Sequence, residues 1–251
     1  MADPRLAVVT GGSRGIGRAI AAALLRAGHR VVVTGRHQDA LDEAAAALAG
    51  LGEVQACAFD VTDEDAVDRW LRPLAADVLV NNAGAATSAP VERTTLDDWS
   101  RMLAVNATGA FLCTRAVLGG MRARDRGRIV TVASVAGLVG GRYIAAYTAA
   151  KHAAVGLMRV VAAEVAGSGV TANAVCPAFV RSRMTEESVA RIAELTGRSL
   201  DEAQAALERA TLLGRLIEPE EVAAAVAYLV SEQAAAVNGQ TIVIDGGGIR
   251  L

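Results

Sequence analysis

The stretch Leu6-Ala-Val-Val-Thr-Gly-Gly-Ser-Arg-Gly-Ile-Gly17 decides how this chain is read. A short apolar run ends in Thr10, glycines follow at Gly11, Gly15 and Gly17, and then Ile20, Ala23, Leu24 and Ala27 recur at helical spacing until Gly28 stops them. Strand, glycine turn and helix in that order let a pyrophosphate approach the backbone at the positive end of the helix. A dinucleotide fits there. The spacing is GxxxGxG instead of GxGxxG, so the turn alone is a weak signal, and its weight depends on what surrounds it.

Moving outward, Val31-Val-Val-Thr34 reads as a buried strand, Leu41, Ala44, Ala45 and Leu48 form a helical stripe closed by Gly50, and 54–59 is the next strand. That is a βαβαβ half. Thr62-Asp-Glu-Asp65 reads as a capping box ahead of a short helix, 77–81 as a fourth strand, and Thr95-Leu-Asp-Asp98 as the cap of a helical region to about Leu118. A fifth strand over 128–134, a long helix over 146–166 and a sixth strand over 170–176 follow. From Pro177 to Gly214 the rhythm breaks into helical pieces over 185–195 and 199–210, which we read as part of a lid spanning about 180–214. Pro219 suits the first turn of a helix through Val230, and 241–245 is a last strand. One α/β domain over 1–251 is expected, Rossmann-type and doubly wound, with a mainly parallel seven-stranded sheet and helices on both faces.

Composition narrows the function. The 251 residues are 53% hydrophobic, ample for a core, and 25 Lys and Arg against 27 Asp and Glu give a net charge of -2 with no long run of one sign. Neither a nucleic-acid nor a membrane-surface partner is indicated; a small-molecule role is. No basic segment followed by an apolar one opens the chain, and no uninterrupted apolar stretch reaches about 18 residues, so a soluble cytoplasmic protein is expected. Cys57, Cys113 and Cys176 form no CxxC and have no histidine at ligand spacing; they read as buried thiols, and no metal is expected.

The second strand ends at Gly35-Arg36, about 20 residues beyond the glycine turn, where the adenosine ribose is discriminated. Thr34-Gly35-Arg36-His37 holds no acid, while Arg36 and Arg14 both carry a guanidinium suited to a 2′-phosphate. NADP(H) is therefore preferred, with NAD(H) possible.

Asp60-Val61, Asn81-Asn-Ala-Gly84, Asn106, Ser134, Tyr147 with Lys151, and Pro177 after a strand complete a set whose order and spacing resemble the short-chain dehydrogenase/reductase superfamily over nearly the whole length. The chemistry is also arguable from the residues. Tyr147 and Lys151 lie four apart on one helix face, where an ammonium is expected to lower the phenol's pKa and make it a proton donor and acceptor near neutral pH. Ser134 ends the fifth strand at the carboxyl edge, so its hydroxyl is placed to hold a carbonyl oxygen. Tyr143, four residues before Tyr147, is the rival phenol and is assigned to the substrate mouth, which Arg142, Arg181 and Arg183 also border.

The resemblance implies that Tyr147 is general acid in reduction, that Ser134 polarises the carbonyl, that Lys151 holds nicotinamide ribose hydroxyls and tunes Tyr147, and that Asn106 completes a water-linked proton relay. It implies cofactor contacts from Gly11, Ser13, Arg14, Gly15, Ile16 and Gly17 in the turn, and adenine contacts from Asp60 and Val61. Asn82, Ala83 and Gly84 are expected on the adenosine side, and Pro177, Val180 and Ser182 near the carboxamide and phosphates. Two departures stand out: the usual Pro-Gly is Pro177-Ala178 here, and 60–81 is about a turn and a half short, so its helix should be stubby.

The segments Asn173-Ala-Val-Cys-Pro-Ala-Phe-Val180, Lys151-His152 and Leu213-Gly-Arg-Leu-Ile-Glu-Pro-Glu-Glu221 are similar to those of ketoreductases acting on β-ketoacyl thioesters and aromatic polyketides. An NADPH-dependent reduction of a ketone to a secondary alcohol is expected, on a 3-oxoacyl thioester or a polyketide-like β-keto substrate, by a homotetramer. An NAD(P)-dependent alcohol or hydroxy-acid dehydrogenase stays open, as does a catalytically silent nucleotide-binding subunit.

Overall fold

An apolar run with no polar alternation has two faces to cover, and parallel sheets flanked by helices cover both. In the computed structural model, which describes residues 5–209 and 211–249, the runs form β1 (Leu6–Thr10), β2 (Arg30–Gly35), β3 (Val54–Ala58), β4 (Val78–Asn81), β5 (Gly127–Val132), β6 (Val170–Pro177) and β7 (Thr241–Ile244). They pair in the order β3-β2-β1-β4-β5-β6-β7, every neighbour parallel. The seven-stranded, doubly wound sheet expected from the sequence is therefore what forms. Winding reverses between β1 and β4, which opens a crevice at the carboxyl ends of those strands.

Successive strand residues point to opposite faces, and two cores result. Val8, Val32, Leu79 and Ile129 meet α3 (Glu64–Leu71), α5 (Gly109–Ala123) and α6 (Ala145–Glu164) through Leu71, Met121 and Met158. Val9, Val33, Val80 and Val130 meet α1 (Gly15–Arg26), α2 (Gln38–Leu48) and α9 (Pro219–Val230) through Leu24, Leu41 and Leu229. Beyond β6, α7 (Arg183–Thr196) and α8 (Leu200–Arg209) pack on each other through Val189, Ala203 and Leu207, apart from both cores.

Several expectations need correction. The helical region after Thr95 runs to Ala123 and is divided: α4 (Leu96–Leu103), a π turn over Ala104–Thr108, then α5. Thr95 does cap α4, accepting the Asp98 N–H at 3.1 Å. Thr62 caps nothing; its N–H and hydroxyl both turn back to Asp60 Oδ1, at 2.9 and 2.8 Å, and Asp63 caps the eight-residue α3 instead. β5 stops at Val132, and Ser134 heads a separate short turn, Val135–Gly137. Cys113 and Cys176 are buried, but Cys57 on the edge strand β3 is only partly so. By length and composition the run Leu96–Ala123 is apolar enough to cross a membrane; half of its most apolar window is buried, with α5 against β4 and β5.

Candidate active site

The nucleotide side begins with glycine backbone. Gly11 and Gly15 adopt φ of +65° and +51°, the left-handed region that a side chain resists. At Gly17 a Cβ would stand 2.2 Å from the Gly11 carbonyl oxygen, so only glycine lets α1 close on the turn. α1 starts at Arg14 with no side-chain cap and no acid in its first turn, leaving its leading N–H groups to an anion. An uncapped helix end behind a closed glycine turn fits a dinucleotide pyrophosphate.

The strand across the crevice braces that turn. The Asn82 side-chain amide donates to the Thr10 and Gly11 carbonyls at 2.8 and 3.1 Å, while the Thr10 hydroxyl donates to Val80 O at 3.3 Å and accepts the Asn82 and Ala83 N–H groups at 3.0 Å each. Asn82, expected against adenosine, therefore has its side-chain donor committed to shaping the turn. Thr10 was visible as the end of the first strand, yet its bridging role depends on a segment 72 residues away, which spacing cannot reveal.

Arg14 and Arg36 are exposed, and among the described residues neither forms an ion pair. Val61 is buried against the start of α5, where a Cβ on Gly109 would meet its Cγ2 at 2.7 Å. Ser13 and Ile16 are half-buried in the turn. Past Pro177, the Val180 side chain enters the core beside Ile217, and its carbonyl accepts the Thr185 hydroxyl at 2.6 Å. Ser182 caps α7 and is the nearest neighbour of Gly15, its Cβ 3.8 Å from where a Gly15 Cβ would be. The start of α7 thus lies beside the glycine turn.

On the other side of the crevice, Tyr147 occupies the first turn of α6, half-buried against Met102 and Ala150. Lys151, one turn on, is 5% exposed; its Nζ donates to the Val132 carbonyl at 3.0 Å and lies 5.7 Å from the Tyr147 ring centroid. The Ser134 hydroxyl accepts the Ala136 N–H at 3.1 Å and donates to Pro177 O at 3.5 Å. Asn106 sits in the π turn, a local widening frequent at functional sites. Its amide donates to Met102 O and Ala85 O at 3.0 and 2.9 Å, and its Oδ1 accepts the Ala85 N–H at 3.3 Å. Gly84 is where the two halves meet: a Cβ there would be 2.9 Å from Asn106 Oδ1 and 3.6 Å from Lys151 Nζ.

One electrostatic expectation is reversed. Burial pushes the Tyr147 phenol above its ordinary value, with the Ser134 hydrogen bond pulling only part of the way back, and burial brings the Lys151 ammonium down to about 8. Tyrosine and lysine share one poorly solvated pocket, and desolvation is the largest influence on each. Burial also raises the neighbouring Cys176 thiol to about 11, which keeps it inert.

Fold and crevice together define a dinucleotide-binding protein of the doubly wound α/β class. The family model described as enoyl-(acyl carrier protein) reductase matches residues 11–248. The chain is 39% identical to a 3-oxoacyl-[acyl-carrier-protein] reductase of Synechocystis sp., over 97% of this chain and 96% of the relative, and 41% identical to 2-(S)-hydroxypropyl-CoM dehydrogenase 3 of Xanthobacter autotrophicus, over 95% and 94%. The crystal structure of actinorhodin polyketide ketoreductase with NADPH superposes with a TM-score of 0.95 at 34% identity, covering 98% of both chains. The protein belongs to the short-chain dehydrogenase/reductase family and is an NAD(P)-dependent oxidoreductase.

Proposed function

We propose that the protein reduces a ketone to a secondary alcohol with NADPH, on a 3-oxoacyl thioester or a polyketide-like β-keto substrate, with Tyr147 as proton donor. The observation that carries this reading is the grouping beside the crevice of the Tyr147 phenol, the Ser134 hydroxyl at the head of its short turn and the buried Lys151 ammonium, 5.7 Å from the Tyr147 ring centroid. An acid poised above neutrality serves carbonyl reduction at neutral pH, and the same group serves alcohol oxidation only as pH rises. The relatives named for 3-oxoacyl and polyketide substrates support the substrate class.

A bound NADPH supplies the hydride. The chain does the rest. The α1 N-terminus, Ser13, Ile16 and Ser182 hold the phosphates, Arg14 and Arg36 meet the 2′-phosphate, and Asp60, Val61 and Ala83 line the adenosine. Pro177 and the main chain of Val180 flank the nicotinamide, whose ribose is bound by Tyr147 and Lys151. Ser134 donates to the substrate oxygen while Tyr147 delivers its proton there as negative charge builds. Lys151, charged below about pH 8, favours the phenolate left behind. Asn106, with its side-chain groups engaged, holds Gly84 and Ala85 beside Lys151 and borders the water path that refills the proton. Residues 180–214 close over the substrate as a lid on one catalytic domain. The assembly is a cytoplasmic homotetramer that engages neither nucleic acid nor membrane.

The test is NADPH consumption across β-ketoacyl thioesters, cyclic ketones and simple alcohols. Thioester or cyclic-ketone turnover, cut 10²-fold or more by Tyr147→Phe with NADPH binding retained, is the expected result. The hydroxypropyl-CoM dehydrogenase likeness favours a second reading, oxidation of a hydroxylated substrate, and strong NAD(H) preference with alcohols alone consumed would select it. Tight NADPH binding without any turnover would mark a silent subunit.

A further inference from the structure

The turn entering α6 carries two exposed side chains that the chemistry above leaves unused, Arg142 and Tyr143. Tyr143 has φ of +68°, a conformation that costs a bulky residue roughly 1 kcal/mol or more. The surroundings hold it there. Its carbonyl accepts the Ala89 N–H at 2.7 Å, Ile144 bridges to Ala89, and Gly141 leaves room for Ile144, whose Cδ1 would lie 2.6 Å from an added Cβ. The turn is thereby tied to the loop that follows β4, and both loops rise from the carboxyl edge where Tyr147 and Ser134 work.

Three arginines lie on the segments assigned to this mouth, Arg142 before α6 and Arg181 and Arg183 after β6, and the structure separates them by partner. Arg181 is neutralised by Glu218, with contacts of 3.0 and 3.3 Å, and Arg183 by Glu187 at 2.9 Å. Arg142 instead donates to the Tyr143 hydroxyl at 3.1 Å and stands 5.2 Å from that ring's centroid, and among the described residues no carboxylate pairs with it. An aromatic partner orients a guanidinium without cancelling its charge. The cation is left for something else to meet.

Resting on the reductase reading, we propose that Arg142, oriented by Tyr143, is a specificity determinant that binds an anionic oxygen group carried by the substrate beyond its reacting carbonyl. Two sources share that chemistry: a carboxylate of the substrate itself, or the phosphates of a thioester carrier. Both accept paired hydrogen bonds from a guanidinium.

Two matched pairs of β-keto probes test it: acetoacetate against methyl acetoacetate, and acetoacetyl-CoA against the acetoacetyl thioester of N-acetylcysteamine. For the pair that matters, Arg142→Gln should lower the charged-to-neutral ratio of kcat/KM tenfold or more, chiefly through KM, and Arg142→Lys should recover part of it. Tyr143→Phe, which keeps the ring and loses the hydroxyl, should give a smaller shift of the same sign. A response in the first pair alone assigns the carboxylate; a response in the second alone assigns the carrier phosphates. Unchanged ratios in both pairs, with the neutral members still reduced, would overturn the role of Arg142 and leave the reductase reading intact. If no probe is turned over, that reading fails instead, and calorimetric binding of acetoacetate and CoA to the NADPH-loaded protein still decides: tenfold weakening by Arg142→Gln supports the site, and equal affinities overturn it.

Discussion

Lys151 shows how one side chain is placed at a cost to the fold. The unfolded chain keeps its lysine proton up to about pH 10.5, whereas the folded protein gives it up near 8, so between those values the unfolded state binds more protons and stability rises with pH. Below pH 8 both states are charged and folding carries the whole penalty, up to about 3 kcal/mol. Lys151→Met, close in volume and uncharged, should raise Tm at pH 7 by several degrees in the nucleotide-free protein while abolishing turnover. The gain should shrink between pH 8 and 10. Thermal scans across that range check it, and a Tm lowered at pH 7 would show that the Val132 contact outweighs desolvation. The Tyr147 and Lys151 pairing was legible because a spacing of four puts two residues on one helix face. The direction of their pKa shifts was not, since it depends on how much water β5, α4 and the loop at Gly84 exclude.

At the scale of elements, glycines bring the two sides of the crevice together. Gly17→Ala would drive a methyl into the Gly11 carbonyl, 2.2 Å away, and within reach of the Asn82 amide at 2.5 Å, so the turn must shift as a unit. Affinity for NADPH and for NADH should both fall tenfold or more. Arg36→Ala leaves the turn alone and should weaken NADPH selectively; fluorescence titration of the two nucleotides separates the cases, and equal losses in Arg36→Ala would remove its link to the 2′-phosphate. Strands, α7, α8 and the Pro219 start of α9 were readable because each depends on its own residues. The π turn was not, because its five residues, Ala104-Val-Asn-Ala-Thr108, carry no glycine or proline to announce it; it is stabilised by Asn106 reaching Ala85 on another loop. The Thr62 cap failed for a similar reason: Asp60, two residues upstream, captures both of its hydrogen-bonding groups.

For the whole molecule, the question is what covers the surface that the two cores leave open. β7 closes one edge of the sheet with all four residues only half-buried, and α4, α5 and α6 expose Leu96, Trp99, Phe111 and Val160. Large apolar groups on consecutive helices, and separately an incompletely covered sheet edge, suit burial against further copies of the chain. A stable interface of ordinary size hides about 1,200–2,000 Å² in total, within reach of two long helices meeting their counterparts. Sedimentation should therefore find a particle of more than one chain, with four expected on the homotetramer proposed above. Phe111→Glu would set a carboxylate where Phe111 now packs under Arg115, 5.4 Å from its ring, and should halve the particle or reduce it further while the nucleotide crevice at the carboxyl ends of β1 and β4 still binds NADPH. A wild-type monomer at micromolar concentration would remove the argument, and an intact Phe111→Glu tetramer would shift it from α5 to the β7 edge.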